Sequence, residues 1–303
     1  MTELKKHNLT VSGLSVFYLV LSYFLIGFKS EQVFLVVLFN LMFYASGVSR
    51  RIILGFSIFI VYWILFDYMK ALPNYLFKDV DIAEIYHLER KLFGLNYHGA
   101  LLSPNEFFYV ERKTFLDVLS GVFYLTWVPV PLLFALYLFF VRREQFLHFS
   151  LSFLLINILG FVIYYLHPAA PPWYVQQFGF EFNPLTLGNT AGLARFDSYF
   201  GVEIFKSIYA KSSNVFAAMP SLHSSYPVLV LYYGIKNKMG AMNFLFGFIM
   251  VGIWFAAVYS GHHYVLDVLA GIACAITGIV IFSYLLKINY VQRFIQTLLK
   301  ATQ

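Results

Sequence analysis

His223 and His263 stand about forty residues apart in a chain otherwise sparse in ionisable groups. The first closes Met219-Pro220-Ser221-Leu222-His223; the second lies in Tyr259-Ser260-Gly261-His262-His263-Tyr264-Val265-Leu266-Asp267. A spacing of four puts His263 and Asp267 on one helix face, where the carboxylate can accept the proton of one ring nitrogen. Such a bond fixes the tautomer, frees the other nitrogen to attack, and stabilises the ring once it is cationic. A histidine so prepared is a nucleophile for covalent catalysis. A purely structural His–Asp bond orienting two helices uses the same spacing, although an ionisable group in an apolar span is costly enough to suggest function. His223 opens a second apolar run, so its imidazole falls in a first helical turn, near free backbone N–H groups that attract phosphate oxygens. The Ser221 hydroxyl is a further donor there; taken alone, the pair is a capping Ser followed by an interfacial His. Two imidazoles and a carboxylate at a lipid–water boundary are the parts needed to pass a phosphoryl group from one lipid to another. Pro227 either kinks the second run or is tolerated in its first turns.

The elements that must position these groups follow from composition. Of 303 residues, 60% are hydrophobic and 12% charged, about half the charge of a soluble domain. The apolar residues fall in runs of about 16 to 24, the length that crosses a bilayer as a helix. The fold class is therefore an all-α polytopic membrane protein, with about eight spans at 9–28, 32–48, 52–68, 118–141, 149–166, 222–235, 244–260 and 265–286. Lys5 and Lys6, Arg50 and Arg51, Arg142 and Arg143, Lys236 and Lys238, and Lys287 with Arg293 fall at alternate span ends. The positive-inside rule makes that side cytoplasmic and places both termini there; Lys29 is the short-loop exception. No small-residue cleavage site follows the first run, so it reads as a retained span. The net charge of +6 is this cytoplasmic excess and not a nucleic-acid footprint. A lone Cys274 excludes an intrachain disulfide and a Cys-built metal site.

Two long connections, 69–117 and 167–221, then face away from the cytoplasm, as do the mouths bearing His223 and His263. In 81–95, Ile82, Ile85, Tyr86, Leu88, Leu92 and Phe93 share one face, opposite Glu84, His87, Glu89, Arg90 and Lys91. This predicts an amphipathic helix lying along the headgroup layer. Ser103-Pro104-Asn105-Glu106 reads as a helix start, with Ser at the cap, Pro first and Glu three after the cap. No internal repeat is visible. The chain reads as a single membrane-embedded domain, 1–303, with accessory spans and the interfacial helix in 1–117 and a catalytic bundle in 118–303. Short loops and no sorting tail fit a bacterial inner membrane, a secretory-pathway membrane being the alternative.

Pro-Ser-x-His followed by Tyr-x-Gly-x-His-Tyr-x-x-Asp-Val-Leu-Ala-Gly resembles the second and third signature motifs of the type 2 phosphatidic acid phosphatase superfamily; here the third runs from Tyr259 to Gly271. The resemblance implies a six-helix-type catalytic bundle, His263 forming a phosphohistidine, Asp267 orienting it, His223 acting as general acid and then base, and no metal or other cofactor. The sequence also departs from the superfamily. Ala256 and Ala257 stand where the third motif begins Ser-Arg, and the basic first motif is absent. In its place are His167-Pro168-Ala169-Ala170-Pro171-Pro172-Trp173-Tyr174 and Ala191-Gly192-Leu193-Ala194-Arg195-Phe196-Asp197. These, with His262-His263-Tyr264, resemble the inositol phosphorylceramide synthases, weakly extended upstream to Leu88-Glu89-Arg90-Lys91-Leu92-Phe93-Gly94. That resemblance implies phosphatidylinositol as donor, the primary hydroxyl of ceramide as acceptor and diacylglycerol as by-product.

Losing two cations has its own physical reading. A phosphomonoester carries about −1.5 to −2 charges near neutral pH, a phosphodiester one, so the depleted site suits a diester. Arg195 is the candidate for the remaining phosphate clamp, since a guanidinium binds two oxygens at once; pairing with Asp197 or with lipid headgroups is its alternative. His262 is a second candidate donor or an interfacial bystander. Trp173 and Tyr174 read as headgroup-level anchors or as rings that stack on a sugar and close the site. The rival functions are a lipid phosphate phosphatase using water as acceptor, and a non-enzymatic lipid transporter or scaffold.

Overall fold

All eight apolar runs fall on helices in the computed structural model, which describes residues 3–210 and 214–302, with side chains from residue 10 onward. Lys5 and Lys6 of the basic pattern thus lie outside the described side chains. Contacts sort into two compact units, Met1–Leu72 with Asn289–Gln303, and Pro73–Ile288.

The first unit holds α1 (Glu3–Ile26), α2 (Ser30–Ala45), α3 (Gly47–Tyr68) and the C-terminal helix (Asn289–Thr302). Polar groups in these apolar helices find partners on one another, as an apolar surrounding requires. Ser22 bonds the Tyr68 hydroxyl at 2.8 Å, and Asn40 donates to Ser15 at 2.8 Å. The exceptional Lys29 lies 3.5 Å from Asp67, which Lys70 also engages at 2.7 Å. Lys29 and Lys70 thus share one carboxylate.

In the second unit come α4 (Ala83–Phe93), a hairpin of β1 (Leu95–Tyr97) and β2 (Ala100–Leu102), α5 (Pro104–Val110), α6 (Thr114–Leu125) and α7 (Pro129–Val141). These are followed by α8 (Arg143–Leu166), α9 (Pro172–Phe178), α10 (Ala194–Phe200), α11 (Ile204–Tyr209), α12 (Leu222–Lys236), α13 (Met242–Tyr259) and α14 (Val265–Leu285). The run read as one span at 118–141 bends between α6 and α7, where a turn precedes Pro129 and Pro131. Among the described residues, five stretches are long and apolar enough to cross a bilayer: Gly47–Ala71, Thr114–Val141, Arg143–Leu166, Met242–Tyr259 and Val265–Leu285. α1 and α2 carry shorter apolar stretches, Thr10–Ile26 and Ser30–Ala45.

α12 has 15 residues, about 22 Å at the helical rise, and packs against α7, α8, α13 and α14. Its polar side chains are satisfied inside the bundle: Ser225 donates to the Gly271 carbonyl at 2.7 Å and Tyr226 to Asn157 at 2.6 Å. A Cβ on Gly271 would come within 2.1 Å of the Ser221 carbonyl. This glycine of the third motif thus lets the starts of α12 and α14 meet backbone to backbone.

The two long connections are stitched together. Asp81 and Ala169, and Ala169 and Ala217, form parallel bridges, and Ala169 and Ala170 are fully buried. The small residues of the His167–Tyr174 stretch allow that close backbone pairing. The predicted capping box is present: Ser103 accepts from the Glu106 N–H, and the Glu106 carboxylate from the Ser103 N–H at 2.7 Å. The amphipathic helix is also present, but its faces differ from the prediction. Ile82 and Ile85 are buried, Leu88 and Leu92 are exposed, and Glu89, expected on the solvated face, is 0% exposed. The boundary between the compact units falls after Leu72, and α4 and α5 bond directly to the start of α14 and the end of α13.

Candidate active site

The loop that carries His263 is fixed before the histidine is reached. Gly261, at φ +75°, ends α13 in a conformation that other residues rarely adopt. The N–H groups of His262 and His263 turn back to the Ala257 carbonyl at 3.2 and 3.1 Å. From α5, buried Asn105 donates to the carbonyls of Val258 and His263 at 2.7 and 2.8 Å. Asp267 reaches back to accept the Tyr264 N–H at 2.8 Å. Glu89 of α4 accepts the Val265 and Leu266 N–H groups at 2.8 and 3.1 Å. Two carboxylates therefore cap the start of α14, where free N–H groups and the helix dipole favour negative charge. Burial pushes the Glu89 carboxyl up to about 7, although the Val265 and Leu266 N–H bonds pull it down.

Opposite this loop stands the first turn of α12. The rings of His223 and His263 have centroids 5.7 Å apart and planes at 66°. His263 Nδ1 lies 3.5 Å from Asp267 Oδ2, beyond a normal hydrogen bond, and the carboxylate is fully buried. Burial holds His263 down at about 4 against the opposing pull of the Ala218 carbonyl, so the free ring is neutral at physiological pH. His223, partly exposed, makes a 2.9 Å hydrogen bond through Nδ1 to the Tyr124 hydroxyl. Its ring lies 4.3 Å from Trp127. Ser221 is buried; its N–H donates to the Asp267 backbone carbonyl at 2.9 Å, and its hydroxyl accepts from Ser224 at 3.0 Å. α12 thus starts from the first turn of α14.

Arg195 does not pair with Asp197, which instead accepts the N–H groups of Phe205 and Lys206 at the start of α11. Arg195 Nε donates to Asp117, which also accepts from Tyr259 at 2.9 Å. Its Nη2 is buried without a partner among the described residues, and Arg195 lines a cavity of about 100 Å³ together with Trp173, Gly192, Ser260 and Gly261. His262 stacks between Tyr209 and Tyr124, with centroids at 4.3 and 5.7 Å. Its Nε2 is 2.9 Å from the Thr190 carbonyl, so that nitrogen is engaged in tying two loops together. Burial first, and then neighbouring His263, hold this ring down at about 3. Trp173 and Tyr174 are 4% and 0% exposed. They pack with Ile82, Ala170 and Phe216 and are not presented to lipid as anchors. Ala256 and Ala257 are fully buried in a cluster with Phe123, Tyr124, Phe196 and Phe205.

A profile of the PAP2 superfamily matches residues 83–281, from α4 through most of α14. The chain belongs to the PAP2 superfamily. The phosphoinositol dihydroceramide synthase of Bacteroides thetaiotaomicron is 45% identical over 299 residues, covering 96% of this chain and 98% of its own. The inositol phosphorylceramide synthase catalytic subunit aur1 of Schizosaccharomyces pombe is 28% identical over 240 residues, covering 75% of this chain and 53% of its own. The corresponding Saccharomyces cerevisiae subunit is 31% identical over 129 residues, 42% of this chain and 31% of its own. The chain thus spans about half or less of these fungal relatives. No solved structure matches it. Within this PAP2 member, Glu89, Asn105, Asp117 and Tyr124 were missed as site residues. Glu89 looked solvated, Asn105 looked like part of a helix start, and Asp117 and Tyr124 sat at and within an apolar run.

Proposed function

We propose that this lipid phosphotransferase moves phosphoinositol from phosphatidylinositol to the primary hydroxyl of a ceramide-class lipid, releasing diacylglycerol. The observation that carries the reading is the approach of His223 and His263 to 5.7 Å between ring centroids on the starts of two helices distant in sequence. The gap suits one tetrahedral phosphorus held between an attacking and a proton-donating nitrogen. Neutral His263 attacks phosphorus; the bond to the diacylglycerol oxygen breaks, and His223 protonates that oxygen. The acceptor hydroxyl then gives its proton to His223, attacks phosphorus and breaks the P–N bond. Asp267 stabilises the cationic ring, its 3.5 Å contact shortening as charge develops. Arg195 clamps a phosphate oxygen through Nη2. The aromatic rings of Tyr124, Trp127 and Tyr209 keep water from the intermediate.

The relatives' names support this substrate pair, and dihydroceramide, named for the Bacteroides protein, shares ceramide's primary hydroxyl. α12 begins near His223 and ends at Lys236, which under the positive-inside rule supports a site on the non-cytoplasmic face. A bacterial inner membrane fits best. The test is purified protein in liposomes with labelled phosphatidylinositol and dihydroceramide. Phosphoinositol dihydroceramide should form in step with diacylglycerol. Free phosphate released from phosphatidic acid, without transfer, would favour the phosphatase instead.

A further inference from the structure

A second cavity, of about 240 Å³, lies one residue along the chain from His263 and is lined by Tyr86, Ser103, Glu106, Gln176, Phe180 and Tyr264, among others. Tyr264 is 1% exposed, and its hydroxyl has no hydrogen-bond partner among the described residues. Leaving such a group unpaired costs about 1–3 kcal/mol, so the unpaired phenol of a residue that lines the cavity points to a polar occupant. Glu106, also on the lining, offers acceptors. Glu106 takes the Tyr86 hydroxyl on Oε1 and the Ser103 N–H on Oε2, each at 2.7 Å, and each oxygen keeps a lone pair free. Exposed Gln176 borders this cavity and the smaller one lined by Arg195, and brings both a donor and an acceptor. Phe180, Pro172 and Val175 supply an apolar wall.

Charge decides among occupants. Arg90 donates to the same Tyr86 hydroxyl that bonds Glu106, at 3.1 Å, and lies over the Tyr86 ring at 5.3 Å. The carboxylate is thus balanced by a nearby guanidinium, so a cationic headgroup gains little there and an anionic one is opposed by Glu106. A neutral ring bearing several hydroxyls matches the mixed donors and acceptors and the flat apolar wall. We infer that this cavity is the headgroup-recognition pocket, which takes the polyol ring of the donor through Tyr264, Glu106 and Gln176. The inference rests on the phosphoinositol reading above and adds the residues that choose the headgroup.

Binding to the purified full-length protein in detergent tests it without turnover, with soluble glycerophosphoinositol, glycerophosphocholine and glycerophosphoethanolamine as probes. Wild type should bind glycerophosphoinositol at least tenfold more tightly than the other two. Tyr264→Phe removes a hydroxyl that has no internal partner, so the melting temperature should hold while glycerophosphoinositol affinity drops about three- to tenfold, the worth of one hydrogen bond. The probes lacking the ring should be unaffected, and Gln176→Leu at the exposed mouth should act in the same direction. Equal affinity of wild type for all three probes, or unchanged glycerophosphoinositol affinity in both variants, overturns the pocket. Failure of the liposome transfer assay would instead sink the reaction and leave this binding result standing.

Discussion

His263 sits on a loop whose backbone is tied to Ala257, Asn105, Asp267 and, just beyond, Glu89. His223, which faces it, is steadied by one phenol and one indole ring and is partly open. The rigid side and the looser side suit different tasks. A nucleophile must meet phosphorus along one line, and misplacement by about 1 Å can cost 10²-fold in rate. A proton carrier must give a proton to one oxygen and take one from another, so a single hydrogen bond and access to both suit it better.

Breaking the rigid side at its reacting atom should cost most. His263→Ala should lower transfer below detection, whereas near-normal turnover would remove the nucleophile assignment. His223→Ala should reduce kcat by about 10²- to 10⁴-fold, the usual worth of a general acid–base, with the donor KM little changed. Asn105→Ala frees the His263 carbonyl without touching a reacting group. A kcat loss of about 10- to 100-fold with an intact melting temperature would sharpen the comparison, and an unchanged kcat would break it. On the looser side, Tyr124→Phe removes the partner of His223 Nδ1 and should cost only about three- to tenfold, mainly by moving the pH profile of kcat.

Glu89 tests the clamp through pH. Its folded pKa, raised to about 7 from an ordinary 4.5, means that between these values the folded protein binds more protons than the unfolded chain. That contribution to stability is present at the acid end and is lost as pH rises through 7. Wild type should therefore gain melting temperature relative to Glu89→Gln as pH falls from 7 to about 4.5. A gap that stays constant across that window would place Glu89 outside the titration.

The sequence showed what local rules govern. The Ser103–Glu106 box needs only a spacing of three, the His263–Asp267 pair a spacing of four, and the apolar runs only their length. It hid what long-range satisfaction decides. Glu89 finds its N–H partners 176 and 177 positions away, so its place in an amphipathic helix pointed to water. Arg195 takes a carboxylate 78 positions back in preference to Asp197 two positions on, because Asp197 caps α11. Trp173 and Tyr174 follow prolines in a polar connection, where an anchor at the membrane surface was the natural expectation. The pairing of Ala169 with Asp81 and Ala217 folds that connection over them instead.

The most direct test of the account is to withhold the acceptor. Wild-type protein, given phosphatidylinositol labelled in its headgroup phosphate and no ceramide, should carry an acid-labile phosphoinositol adduct on the peptide containing His263, and His223→Ala protein, which lacks the acid for diacylglycerol departure, should form it about 10²- to 10⁴-fold more slowly. Wild type should release about one diacylglycerol per protein in a burst. Label on another residue, or diacylglycerol that appears only once ceramide is added and leaves no adduct, would contradict it.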